Sequence, residues 1–345
     1  MSETTTQPLE GDPAARVLVA GASGYAGALA AELIWRHPHL ELVRATARSE
    51  VGTPLDELYP TYQVPLVLEE LHLAELEGID AAIVAYPHGV SAPVVAELRA
   101  AGIRVVDLSA DFRLREIPVY ERWYGEHGAP ELLEGAVYGL TELNRERIGD
   151  AGLVANPGCY PTASLLALAP LAEAGLISDV VIDAKSGVSG AGRAAAEEME
   201  TVKSAEDTLA YRVRGHRHAP EIAQELEALA RGNGASLTFV PHLLPFDQGE
   251  LVSCYVSTRR DLAADELASL YAGRYDSEPF VQIAGSPPGV SEVRETNLCR
   301  ICAVVGEGGR ILVFAAIDNL WKGAASQALQ NLNLMLGLPE GEGIS

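Results

Sequence analysis

Lysine is nearly missing from this 345-residue chain: it occurs at 185, 203 and 322 only, beside 22 arginines. Basic charge of either kind is scarce, 25 residues against 48 acidic ones, for a formal net charge of −23. A field of that sign repels phosphate backbones and anionic lipid, which argues against nucleic acid and membrane partners. Any pocket that takes a small anion must therefore concentrate its cations locally. Long apolar runs are lacking too: no stretch of ~18 residues is both uncharged and apolar throughout, as a membrane span needs. No basic stretch followed by an apolar segment opens the chain, so no secretory signal is expected. Four cysteines, at 159, 254, 299 and 302, are too few for a disulfide framework in a chain this long. A reducing, cytoplasmic setting is expected.

What is present is alternation. R-V-L-V-A from Arg16 reads as a buried strand, followed by a glycine-rich turn and the helical stretch Y-A-G-A-L-A-A-E-L-I-W-R-H. E-L-V-R-A-T-A, D-A-A-I-V-A-Y, I-R-V-V-D-L-S and L-V-A-N-P-G-C continue as strands, with the helix A-P-V-V-A-E-L-R-A-A-G among them. That order predicts a parallel sheet with right-handed crossovers. After a helix predicted at 162–175, the apolar runs lengthen and several alternate with period two, as in E-L-V-S-C-Y-V-S-T. They predict a mixed, largely antiparallel sheet with helices on one face. The fold class expected is α/β: a Rossmann-type parallel-sheet domain plus an α+β catalytic domain. The boundaries expected are a flexible leader at 1–15, a dinucleotide-binding domain at 16–158 completed by a C-terminal helix at 318–338, and a catalytic and oligomerisation domain at 159–317.

The first turn reads Gly21-Ala-Ser23-Gly24-Tyr25-Ala-Gly27 between strand and helix. Small residues there let a pyrophosphate approach the backbone at a helix N-terminus. The spacing G-x-x-G-x-x-G is also compatible with a tight turn that binds nothing. Where NAD binders often carry an acid after the second strand, this chain offers Arg48 and Ser49, with Glu50 next to them. An arginine at that point suits a ribose 2′-phosphate, so NADP(H) is the expected cofactor.

Cys159 sits in N-P-G-C-Y-P-T, at the start of a helix. The helix dipole and unpaired amides lower a thiol pKa there, whereas a lone cysteine elsewhere is more often inert packing. His216 and His218, in G-H-R-H-A-P-E with Glu221, supply bases in an arginine-rich stretch. As zinc ligands they lack a third partner, and no metal is expected. Cys299-Arg-Ile-Cys302 has C-x-x-C spacing but lies on a strand, where residues three apart face opposite ways. Both read as core or edge residues.

Taken together, G-A-S-G-Y-A-G, D-L-S-A-D-F-R (107–113), N-P-G-C-Y-P-T, S-G-V-S-G-A-G-R (186–193), G-H-R-H-A-P-E-I and D-N-L-W-K-G-A-A occur in order from about 17 to 337. The chain resembles the N-acetyl-γ-glutamyl-phosphate reductases, relatives of the aspartate-semialdehyde dehydrogenases. Trp321 departs from the smaller aliphatic residue common there. The resemblance implies NADPH-dependent reduction of an acyl phosphate, in arginine biosynthesis, through a thioester on Cys159 with His218 and His216 moving protons. It implies Arg113, Arg193 and Glu221 on the substrate, and Ser189, Gly190 and Asn319 near the nicotinamide. His88 reads equally as a turn residue and a cofactor contact. A small-molecule substrate and a homodimer or homotetramer are implied. Two rival readings share the motifs: the same reaction on carrier-linked aminoadipyl phosphate in lysine biosynthesis, and a non-catalytic NADP-binding regulator. A chain at −23 is poorly suited to docking an acidic carrier.

Overall fold

The computed structural model describes residue 7 and residues 9–344; the rest of the leader, and Ser345, lie outside the described residues. The chain divides into two compact units, one of residues up to Pro157 together with Ala324 onward, the other Gly158–Gly323. The described part of the leader is bonded to the first unit. Gln7 donates to Ile34 O and accepts from the Leu42 amide, and the Ala14 amide donates to His39 O.

The first unit contains β1 (Ala15–Ala20), α1 (Tyr25–Arg36), β2 (Leu40–Thr46), α2 (Leu55–Leu58), β3 (Ala81–Val84) and α3 (Ser91–Ala100). It continues with β4 (Arg104–Asp107), α4 (Ile117–Tyr124), β5 (Ala136–Tyr138), α5 (Thr141–Gly149) and β6 (Leu153–Ala155). Its sheet runs β2-β1-β3-β4-β6-β5 and every pairing is parallel. Strands such as β3, with all four residues fully buried, carry the unbroken apolar run that a sheet covered on both faces requires. The order places β1 between β2 and β3, so the chain leaves β1 in opposite directions at its C-terminal end. That reversal is where ligands enter such sheets.

The second unit holds α6 (Cys159–Glu173), β7 (Ile177–Gly187), α7 (Ala196–Ser204), β8 (Leu209–Ala210), α8 (His218–Leu229) and β9 (Ser236–Leu244). It ends with β10 (Glu250–Thr258), α9 (Ala264–Tyr275), β11 (Val281–Ile283), β12 (Cys299–Val305) and β13 (Ile311–Ile317). The sheet order is β11-β12-β13-β10-β7-β9-β8; β7 with β9 and β11 with β12 are parallel, the remaining pairs antiparallel. One sheet face is buried through Val180, Ile182, Cys254, Val256, Ile311 and Val313. The alternate face leaves Val181, Tyr255, Leu312 and Phe314 half-buried.

Helix α6 is the spine of the second unit. It starts three residues earlier than the sequence suggests, because Pro161 falls in the first turn, where a missing N–H breaks no helical bond. Leu165, Leu166, Leu168 and Leu171 are fully buried, each contributing roughly 1.5–3 kcal/mol. Pro170 sits inside this helix and removes a donor to the Leu166 carbonyl. The Tyr275 hydroxyl donates to that carbonyl at 2.6 Å, and Tyr271 does the same for Ala167 O.

Helix α10 (Ser326–Leu336) returns to the first unit, and its buried face is unexpectedly polar. Asn331 donates to Gly139 O at 2.8 Å and to Asn156 Oδ1 at 3.0 Å, while Gln327 donates to Gly139 O. These amides satisfy carbonyls that would otherwise be stranded in the core. They also fix the segment that leads to Cys159.

Candidate active site

Three glycines shape the turn from β1 to α1, for different reasons. Gly21 has φ +93°, and a Cβ there would lie 2.7 Å from Ala85 O. At Gly27 a Cβ would lie 2.2 Å from Gly21 O. Backbone packing alone demands both. Gly24 is different: its φ is −88°, and a Cβ would meet nothing closer than 3.7 Å. It is the N-cap of α1, with no side-chain cap and no acid in the first turn. The protein does not itself need glycine at 24, whereas an anion resting on the helix start would. A dinucleotide pyrophosphate fits that space and that polarity. Ser23 is buried and its carbonyl accepts from Tyr59, whose ring packs against Tyr25. Arg48, Ser49 and Glu50 lie exposed just beyond β2, where a ribose 2′-phosphate would be met. His88 proves to be a turn residue, its Nδ1 accepting from the Ala110 amide at 2.9 Å.

Cys159 is the first residue of α6. Its N-cap is Gly158, again without a side-chain cap. Among the four cysteines it alone is partly exposed; Cys254, Cys299 and Cys302 are buried. The Gly158 amide donates to Glu221 Oε1 at 2.9 Å, and the Gly158 carbonyl accepts from the Thr162 amide and hydroxyl. Glu221, expected on the substrate, is fully buried and holds the residue before Cys159. On the far side, a Cβ at Gly323 would sit 2.8 Å from Cys159 Cβ, so only glycine lets that segment pass.

The two histidines part company. His216 is buried, its ring packed among Tyr160, Tyr211, His218 and Phe239. Burial, and then Arg212 and Arg217, push it down to about 4, so it is neutral near pH 7. Its Nδ1 accepts from the His218 amide at 3.1 Å, leaving the ring proton on Nε2. His218, half-buried, begins α8 and packs edge-on to Tyr160, the neighbour of Cys159.

Of the remaining predicted residues, Arg113 follows β4, while Ser189, Gly190, Arg193 and Asn319 belong to the turn after β7 or contact it. Arg113 is buried, with Nε on Asn156 O and one terminal nitrogen on Leu108 O, both at 2.7 Å. That staples the loop after β4 to Asn156. Arg193 follows Gly192, whose φ is +82°, and is half-buried. Ser189 and Gly190 lie on the turn after β7. Asn319, expected at the nicotinamide, donates to Ser189 Oγ at 2.9 Å and accepts from the Gly249 amide at 2.7 Å. Its amide is spent shaping this turn.

Glu250 went unnoticed in the sequence. It opens β10, is fully buried, and neither carboxyl oxygen has a hydrogen-bond partner among the described residues. Burial pushes its carboxyl up to about 8, Cys159 opposes that rise and Asp318 adds to it. Only an acid standing alone in an apolar run, G-E-L-V-S-C-Y-V, marked it.

Residues 16–151 match the semialdehyde dehydrogenase NAD-binding domain family, and residues 159–319 match the semialdehyde dehydrogenase dimerisation domain family. Among solved structures, aspartate semialdehyde dehydrogenase II of Vibrio cholerae superposes with a TM-score of 0.71 at 18% identity, covering 94% of this chain and 98% of that one. The enzyme of Candida albicans, solved with NADP, gives 0.65 at 13%, covering 93% and 98%. At such identities the likeness concerns the fold. Sequence relatives are much nearer. N-acetyl-gamma-glutamyl-phosphate reductase of Pelotomaculum thermopropionicum is 46% identical over 341 residues, 96% of this chain and 98% of the relative. That of Azotobacter vinelandii is 46% identical over 339 residues, with the same coverage. At that identity along nearly the full length of both chains, this protein belongs with the N-acetyl-γ-glutamyl-phosphate reductases of the semialdehyde dehydrogenase family.

Proposed function

We propose that this chain reduces N-acetyl-γ-glutamyl phosphate to N-acetylglutamate semialdehyde and phosphate with NADPH, through a thioester on Cys159, in arginine biosynthesis. The observation that carries the reading is Cys159 itself: partly exposed and first in its helix, after a glycine N-cap. Both features favour the thiolate. Its Sγ attacks the acyl carbon, the C–S bond forms, and the bond to the phosphate oxygen breaks. Amides at the start of α6 are placed to donate to the oxyanion, and Pro161 contributes none. The hydride that turns the thioester into a hemithioacetal is what a bound NADPH supplies. Gly21, Ser23, Gly24, Tyr25 and Gly27 would hold its pyrophosphate, and Arg48 with Ser49 its 2′-phosphate.

His218 protonates the hemithioacetal oxygen and takes that proton back as the carbonyl re-forms and the thiolate leaves. His216, neutral at working pH, accepts the His218 amide and so orients the residue that moves the proton. Arg193 binds the anionic groups of the substrate. Glu221, Arg113 and Asn319 act by holding backbone in place. A homodimer or homotetramer built on the half-buried face of the second sheet, in a cytoplasmic setting, completes the reading.

The test is the reverse reaction: N-acetylglutamate semialdehyde, NADP and phosphate together should generate NADPH absorbance, and Cys159→Ala should not. Turnover only with a carrier-bound aminoadipyl substrate would transfer the assignment to lysine biosynthesis. NADPH binding without turnover of either would leave the regulator.

A further inference from the structure

We propose that Asp318 is a positioning residue for Cys159: its carboxylate fixes the turn that closes over the nucleophile and so sets where the sulfur points. The inference rests on the reading of Cys159 as the nucleophile.

Asp318 directly follows β13 and is fully buried. Its Oδ1 accepts from the amides of Leu320 at 2.9 Å and Trp321 at 3.1 Å, two and three residues on. That half is the local cap that aspartate commonly gives a turn. The other half reaches further. Oδ2 accepts from the Glu295 amide at 2.8 Å and from Gln248 Nε2 at 2.5 Å. Burial raises the carboxyl, and these four donors oppose the rise. A carboxylate supplies the four acceptor sites this requires, whereas an asparagine amide supplies two. Both remote segments are themselves constrained. Glu295 has φ +56°, an uncommon conformation for a residue with a side chain. Gly249, next to Gln248, has φ +125°, and a Cβ there would lie 2.9 Å from Val290 Cβ. Its amide donates to Asn319 Oδ1 at 2.7 Å. One carboxylate thus ties the turn at 248–249 and the loop at 295 to the turn after β13.

That last turn leads to the nucleophile. The Asp318 carbonyl accepts from the Gly323 amide at 2.9 Å. Trp321–Ala325 winds as a π-helical turn, a distortion frequent at functional sites. Gly323 is so placed that a Cβ would lie 2.8 Å from Cys159 Cβ and 3.3 Å from its Cα. A neighbour at that range limits the rotamers open to the thiol. On the other side, Glu221 holds the Gly158 amide. Two buried acids therefore fix the cysteine through backbone alone. The sulfur must align first on the acyl carbon and then present the thioester to hydride, and an error of about 1 Å costs up to ~10²-fold. Asp318 itself makes and breaks no bond in the reaction.

The experiment uses Asp318→Asn, which keeps the size and withdraws one oxygen as an acceptor. It reads kcat, the KM for NADPH and for the acyl phosphate, and Cys159 alkylation by iodoacetamide, followed by mass on the Cys159 peptide. Alkylation is measured on its high-pH plateau, which reports access to the thiolate and not its pKa. Asp318→Asn should lower kcat about a hundredfold with both KM values unchanged. Alkylation should become several-fold faster, because the turn no longer crowds the Cys159 Cβ. A role in stability alone would lower the unfolding free energy and move neither quantity per folded molecule. Gln248→Ala removes one of the four donors and should shift both in the same directions by less; it decides if Asp318→Asn does not fold. Wild-type kcat, a plateau rate unchanged or slower, or a loss that falls on KM overturns the inference. Alkylation needs no substrate. A faster plateau in a protein without turnover therefore keeps the positioning and removes the reductase reading, while turnover with an unchanged plateau does the reverse.

Discussion

Helices α1 and α6 begin alike and do different work. Each follows a parallel strand and starts at an extended glycine with no side-chain cap, φ −88° at Gly24 and −69° at Gly158. Around Gly24 there is room. Around Gly158 and Cys159 there is none to spare: Glu221 takes the Gly158 amide, Gly323 presses on the Cys159 Cβ, and Pro161 deletes a donor. An open helix start offers its field to a ligand, whereas a crowded one spends it on a side chain of its own.

The comparison breaks most sharply at the cysteine. Cys159→Ala should cost at least ~10⁴-fold in turnover while leaving NADPH affinity unchanged, checked by steady-state rates and a cofactor fluorescence titration. Next come the glycines. Gly27→Ala drives a Cβ into backbone at 2.2 Å and should lose about 3 kcal/mol in urea unfolding. Gly24→Ala should change stability by less than ~1 kcal/mol and yet raise the KM for NADPH about tenfold.

Protonation tests the two units separately, because each buries a histidine. His37, at the end of α1, is pushed down to about 4 by burial and then by His39; His216 reaches about 4 in the second unit. An unfolded histidine takes its proton near 6.5, which the folded one refuses until about 4. The unfolded state then binds more protons, so stability falls as pH drops from 6.5 toward 4 and is full above that window. Up to ~3 kcal/mol per histidine is at stake. His37→Gln or His216→Gln should each flatten the slope of unfolding free energy against pH by about half. The smallest effect belongs to Arg48, whose exposed guanidinium is worth about 1 kcal/mol on a solvated phosphate. Arg48→Ala should narrow the NADP over NAD preference several-fold in paired kcat/KM measurements.

Local signals carried much of this far. Gly27 could be named because its steric demand comes from Gly21, six residues back, and β1 and β3 because unbroken apolar runs declare a covered sheet. Pro161 misled the helix start, since proline reads as a breaker unless its position in the first turn is known. Arg113 and Asn319 carried motif positions that suggested ligand contacts; that they also close loops within the chain is visible only in the structure. Helix α10 was read for its leucines; its buried amides serve carbonyls at Gly139 and beside Asn156, which nothing nearby in sequence announces.

The order of strands and helices and the start of α1 were determined by the sequence alone. Periodicity, turn chemistry and helix polarity all act within a few residues. Only tertiary structure decided that Glu221 grips Gly158 across 63 residues, that Gly323 closes over Cys159, and that Glu250 is buried without a hydrogen-bond partner among the described residues. Burial and hydrogen-bonding depend on what distant segments bring together, and a lone glutamate on a strand carries no local mark of the neighbour it will meet.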